Sequence, residues 1–131
     1  MIRFLFPVLV FIMPFLHSTT NQADFIDEMS SLFKSGNAKE IGKSFSSSVE
    51  LTMLNEEDVY SKVQAEQILR DFFTKHVPVG SSILHPINSN PNYRFGVLSL
   101  VTRNGKFRVS VTARKSGNVF LITELRIESE K

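Results

Sequence analysis

No cysteine occurs among the 131 residues. That absence excludes disulfides, a thiol nucleophile, a thiolate metal site and a lipid on an N-terminal cysteine. Glycine is sparse: Gly36, Gly42, Gly80, Gly96, Gly105 and Gly117 are scattered as caps, turns and one strand position. No glycine loop therefore cradles a phosphate, and nucleotide binding has no carrier. His76 and His85 stand nine residues apart with no Cys, Asp or Glu at a ligand interval, so no metal site and no cofactor is expected. No tract rich in Pro, Gly and Ser divides the chain, since Ser44 to Ser48 is too short to act as a linker. Neither sign of charge dominates: the formal net charge is +2, so a basic pI is not a nucleic-acid signal.

What is present is apolar enough for a core, with 42% hydrophobic and 21% charged residues, the proportions of one folded domain. The N-terminus reads Met1-Ile2-Arg3, then an uncharged apolar run from Phe4 to Leu16 broken by Pro7 and Pro14, then Ser18-Thr19-Thr20. A membrane span needs roughly 20 apolar residues, so the layout predicts a signal peptide over 1–19, cut near residues 18–20. The single domain then runs over 20–131. Its expected location is outside the inner membrane, in the periplasm, cell envelope or extracellular space, with no stable membrane span after cleavage.

The C-terminal third predicts two successive β-hairpins. Asn104-Gly105 suits a two-residue type I′ turn, which sets Thr102 opposite Phe107, Leu100 opposite Val109, Leu98 opposite Val111 and Gly96 opposite Ala113. The second turn, around Lys115-Ser116-Gly117-Asn118, brings Val119, Leu121, Leu125 and Ile127 onto the same core face if its loop has three residues. The opposite, outer face then carries Phe95, Val97, Val101, Phe120 and Ile122, with Arg108 opposite Glu124 at the rim. An apolar patch of Phe95, Val97, Phe120 and Ile122 inside a charged edge suits self-association, and a homodimer is the expected partner arrangement.

Upstream, Phe25, Ile26, Met29, Leu32 and Phe33 recur at helical spacing, with Asp24, Asp27 and Glu28 in the first turns, until Gly36 stops the helix. Asn37 and Glu40 form a capping box for a short second helix with Ile41 and Phe45 on its inner side. Val49, Leu51 and Met53 alternate with Glu50 and Thr52 as a strand, and Asn55-Glu56-Glu57-Asp58 reads as a loop. Ser61 and Gln64 open the longest helix, whose inward stripe is Ala65, Ile68, Leu69, Phe72 and Phe73 and which ends before Val77-Pro78. From Ile83 a strand of period two puts Ile83, His85 and Ile87 on one side and Ser82, Leu84 and Asn88 on the other.

Helices followed by antiparallel strands make an α+β layout, with N-terminal helices packed on a curved antiparallel sheet. That order resembles the nuclear transport factor 2-like superfamily, within the cystatin-like group of cone-shaped folds. More narrowly, Ser35-Gly36-Asn37-Ala38-Lys39-Glu40-Ile41, Val59-Tyr60-Ser61-Lys62-Val63-Gln64-Ala65, Asp71-Phe72-Phe73, His85 and Gly105-Lys106-Phe107-Arg108-Val109 are similar to a secreted bacterial family of unknown function in that superfamily. The likeness covers about residues 22–128. It implies a fold and transfers no functional residue, because the superfamily includes isomerases, cyclases, dehydratases and binding modules.

Such a cone implies an inner pocket. Its candidate residues are His85 as a general base or ligand contact, with Tyr60 and Asp71 as orienting groups. The bland readings are a core histidine, a tyrosine sealing the core edge and a solvated carboxylate, and a capping role for His76 at the end of its helix. No acid-base pair stands out by spacing, so no catalytic residue is assigned. The sequence therefore points to an exported, non-catalytic binding or scaffold domain that self-associates. The alternative is a pocket protein for a small apolar ligand, or a proton-transfer enzyme of isomerase or cyclase type using His85.

Overall fold

The computed structural model describes residues 24–130; the expected export segment, 1–19, lies outside them. In chain order the elements are α1 (Phe25–Lys34), α2 (Ala38–Lys43), β1 (Phe45–Met53), β2 (Glu56–Ser61), α3 (Lys62–Lys75), β3 (Pro78–Ile87), β4 (Tyr93–Thr102), β5 (Gly105–Ser116) and β6 (Val119–Glu130).

The helix boundaries follow local chemistry. Asp24 caps α1 by accepting from the Ile26 amide, and Gly36, at φ 65°, ends it. The Asn37 side chain accepts from the Glu40 amide to start α2. Ser61 and Gln64 exchange both bonds of a capping box at the start of α3. Ala65, Leu69, Phe72 and Phe73 of α3 are buried and Ile68 is half-buried. Phe45 departs from the expectation: α2 stops at Lys43, and Phe45 is the buried first residue of β1.

Six strands form one sheet in the order β2-β1-β6-β5-β4-β3, and the three helices pack on one face of it. Neighbours are antiparallel except β1 and β6, which run parallel, so the sheet is mixed. The acidic segment expected as a loop is strand β2, paired at the edge with β1. Its charges face water there, which hid its period from the pattern of apolar residues.

Both C-terminal hairpins close differently from the sequence reading. Arg103-Asn104 is the first loop: Thr102 pairs with Gly105 and Leu100 with Phe107. Gly105 carries the positive φ, 146°, and neither Arg103 nor Asn104 does, so the turn is not the type I′ turn expected. The two-step slide keeps the faces, and Leu98, Leu100, Phe107, Val109 and Val111 are all buried. The second loop has two residues, Gly117-Asn118, with Gly117 at φ 63°.

A bulge then interrupts β6. Thr112 pairs with Glu124 and Ala113 with Ile122, which leaves Thr123 as the extra residue. Its hydroxyl donates to the Thr112 carbonyl at 3.5 Å. The bulge inverts the first half of the strand. Ile122 is fully buried and Phe120 packs on Phe25 of α1 at 5.9 Å, so neither belongs to the outer face; Val119 is exposed and Leu121, opposite Arg114, looks away from Val109. Two expected core residues and two expected interface residues thus change places. A second bulge at Leu84 of β3 has the same effect: Ile83 pairs with Leu98 on the core side, whereas His85 pairs with Val97 on the outer side.

Candidate functional site

The layer between helices and sheet has two ends, and α3 runs from one to the other. Where α1 begins, Arg94 closes it. Its Nε donates to Asp24 Oδ1 at 3.0 Å, its Nη1 donates to the Asn90 carbonyl at 2.7 Å, and its guanidinium lies 4.4 Å from the Phe120 ring centroid. Both partners of the Asp24–Arg94 pair keep only 19% of their side-chain exposure. Nearby, α1 lies close on the sheet because position 96 is glycine: a Cβ there would sit 2.5 Å from Ile26 Cγ2.

At the far end, the C-terminal half of α3 stands off the end of β1 and leaves a groove of about 240 Å³. Met53, Leu54, Ile68 and Phe72 supply apolar walls, and Asp71, Lys75 and His76 the polar lip. Leu54 holds a φ of 60°, in the region that costs a branched L-residue about 1–2 kcal/mol. It begins the two-residue turn into β2, and its amide donates to the Ile127 carbonyl at 2.7 Å.

His76 is fixed more tightly than a terminal helix residue needs to be. Its ring makes a triangle with Phe72 at 4.9 Å and Phe107 at 4.8 Å, centroid to centroid, and those two rings meet edge to face at 5.0 Å. Nδ1 lies 3.0 Å from Asn104 Oδ1, while Asn104 Nδ2 donates to the Lys75 carbonyl at 3.0 Å. Thr102, buried behind them, donates from Oγ1 to the Gly105 carbonyl at 2.8 Å and accepts from the Asn104 amide at 3.3 Å. The β4–β5 turn thereby serves as the C-terminal cap of α3.

Of the three residues singled out from sequence, Asp71 lines the groove, accepting from Gln67 Nε2 at 3.1 Å on its outer side. Tyr60 lies on β2 opposite Val49, half-buried against the core and away from the groove. His85 is exposed on the outer face, so the structure does not bring the three together. The meeting of His76 with Asn104 was hidden, because it is made only through a turn 28 residues from the helix end. A visible trace was Asn104 itself, a residue with both donor and acceptor in a hairpin loop. Among the described residues no group of three or more His, Cys, Asp or Glu gathers as a metal site, and no helix is long and apolar enough to cross a membrane.

The outer face divides in two. Over β3 and β4 it shows Ile87 and Val101 exposed, Phe95 half-buried and Val97 buried. Over β6 it is charged: Arg126 pairs with Glu128 at 3.0 Å, and Arg108, opposite Glu128 rather than Glu124, pairs with Glu130 at 3.2 Å. The hydrogen bond to Glu128, and then its charge, hold the Arg126 guanidinium above its ordinary pKa.

The model of the family described as a domain of unknown function, DUF4783, matches residues 26–128, and the chain belongs to that family. A DUF4783 protein from Bacteroides uniformis is 28% identical with a TM-score of 0.77, the match covering 82% of this chain and 99% of that one. A Nostoc punctiforme domain of unknown function with a cystatin-like fold matches at 10% identity and TM-score 0.62, covering 82% and 74% of the two chains. An NTF-2 like protein of unknown function from Silicibacter pomeroyi matches at 10% and 0.57, covering 80% and 89%. The last two share the fold alone, which is the nuclear transport factor 2-like, cystatin-like α+β fold. No curated protein matches the chain.

Proposed function

We propose that this DUF4783 domain is exported and works as a binding module, holding a small molecule of single-ring size in the groove between Leu54 and His76. The groove carries the reading. Its volume, about 240 Å³, falls below the roughly 300–1,000 Å³ of pockets that enclose drug-sized ligands, and its apolar walls meet a polar lip on one side. The strained Leu54 backbone at the rim adds support, because such strain gathers where a surface is shaped for contact. Export is supported by the layout of Met1 to Thr20. Amide chemical shifts followed during titration with single-ring compounds at millimolar concentration test the groove. Shifts centred on Leu54, Ile68, Phe72 and His76 are expected, and shifts confined to other surfaces overturn the reading. The proton-transfer alternative draws no support from His85, which lies outside the groove on the opposite side of the sheet.

A second reading concerns the outer face. Exposed Ile87 and Val101 flank Phe95 and Val97 on β3 and β4, a smaller patch than the sequence suggested, and we propose it as the self-association surface. Sedimentation of the wild type against Ile87→Lys/Val101→Lys tests it; a wild type that is already monomeric at the highest concentration ends the idea.

A further inference from the structure

We infer that Asn104 fixes the tautomer of His76, and that the groove therefore selects a ring bearing a hydrogen-bond donor, of the phenol or indole class, over an isomeric ring bearing only an acceptor. This rests on the groove being a ring-binding site. The argument begins at the helix end. The Lys75 carbonyl accepts only, so the Asn104 atom 3.0 Å from it must be the amide nitrogen. The other amide atom, Oδ1, then faces His76 Nδ1 at 3.0 Å, and being an acceptor it requires Nδ1 to carry the proton. Thr102 reinforces this orientation by accepting from the Asn104 backbone amide and so holding the turn in place. In the neutral imidazole Nε2 is consequently an acceptor.

The groove lip thus combines His76, whose remaining ring nitrogen Nε2 is an acceptor, and the Asp71 carboxylate with the donor group of Lys75. A hydroxyl or N–H on a small ring satisfies Nε2 while its body lies against Phe72, Ile68 and Met53. A carboxylate head instead meets the Asp71 charge and the Nε2 lone pair, set against the single ammonium of Lys75. Asn104 is in these terms a positioning and specificity-determining residue that need not touch the ligand.

The test uses p-cresol and anisole, which share one molecular formula and differ in having or lacking an O–H, with p-toluate as the anionic comparison. Long-range 1H–15N correlation at about pH 8.5, where a free imidazole is neutral, reads the tautomer directly. The Nδ1–H form is expected, and a dominant Nε2–H form overturns the inference. Titrations should show p-cresol bound about five-fold more tightly than anisole, the size of one net hydrogen bond, and p-toluate more weakly than p-cresol. Equal affinities for the two isomers, or tighter p-toluate, overturn it while leaving the groove in place as a binding site. If none of the three shifts groove resonances, the proposed function itself fails. Asn104→Ala should bring the p-cresol preference close to one. His76→Phe, which keeps an aromatic ring against both Phe72 and Phe107, should abolish the preference and retain anisole binding, so the inference stays open to refutation even if one variant is poorly folded.

Discussion

The two ends of the helix–sheet layer are built from similar residues to opposite effect. At one, Asp24, Arg94, Phe25 and Phe120 interlock, and both the Asp24 carboxylate and the Arg94 guanidinium are tied to fixed partners. At the other, Phe72, His76 and Phe107 stack as closely, yet Asp71, Lys75 and Leu54 stand around open space. Aromatic packing alone does not close a cone. Closure comes from a charge-assisted tie across the gap, and the open end has its tie, Asn104, on the flank of the groove instead of over it.

The largest effect should come from setting a charge into each end. Ile122→Lys puts an ammonium into the fully buried part of the plugged half and should cost more than about 4 kcal/mol, unfolding the domain in a urea titration. Ile68→Lys, at the half-buried groove wall, should cost about 1 kcal/mol. Equal losses would mean the ends do not differ. Next, Arg94→Ala removes the tie to Asp24 and Asn90 and should cost roughly 2 kcal/mol, with faster hydrogen exchange at the start of α1. Asn104→Ala should cost about 1 kcal/mol, with exchange rising at the end of α3. Smallest, and of opposite sign, Leu54→Gly relieves the positive φ and should raise the melting temperature by an amount worth at most about 1 kcal/mol, while weakening ring binding. Gain of stability without loss of binding would separate the strain from the site.

Helix ends were legible because each depends on side chains within four residues of one another: Asn37 with Glu40, Ser61 with Gln64, and Gly36 at its positive φ. The α3 stripe was legible for the same reason of short range. Strand faces were legible only where no residue is inserted. Val119 with Leu121, and Phe120 with Ile122, are equally apolar pairs, and which one turns inward depends on Thr123 bulging and on Phe25 waiting across the layer. Leu84 in β3 moved His85 in the same way. The groove was least legible, since it joins the end of β1 and the last turns of α3, and its residues read separately as strand face, helix stripe and helix end, with only Asp71 carrying a pocket role.

The parallel pairing of β1 with β6 has one further consequence, for the order of events as the polypeptide is made. The first strand synthesised finds its inner neighbour only in the last, so a ribosome must deliver residues 119–127 before Leu51 and Met53 gain their partners Leu125 and Ile127. Until then β1 and β2 have no seat in the sheet.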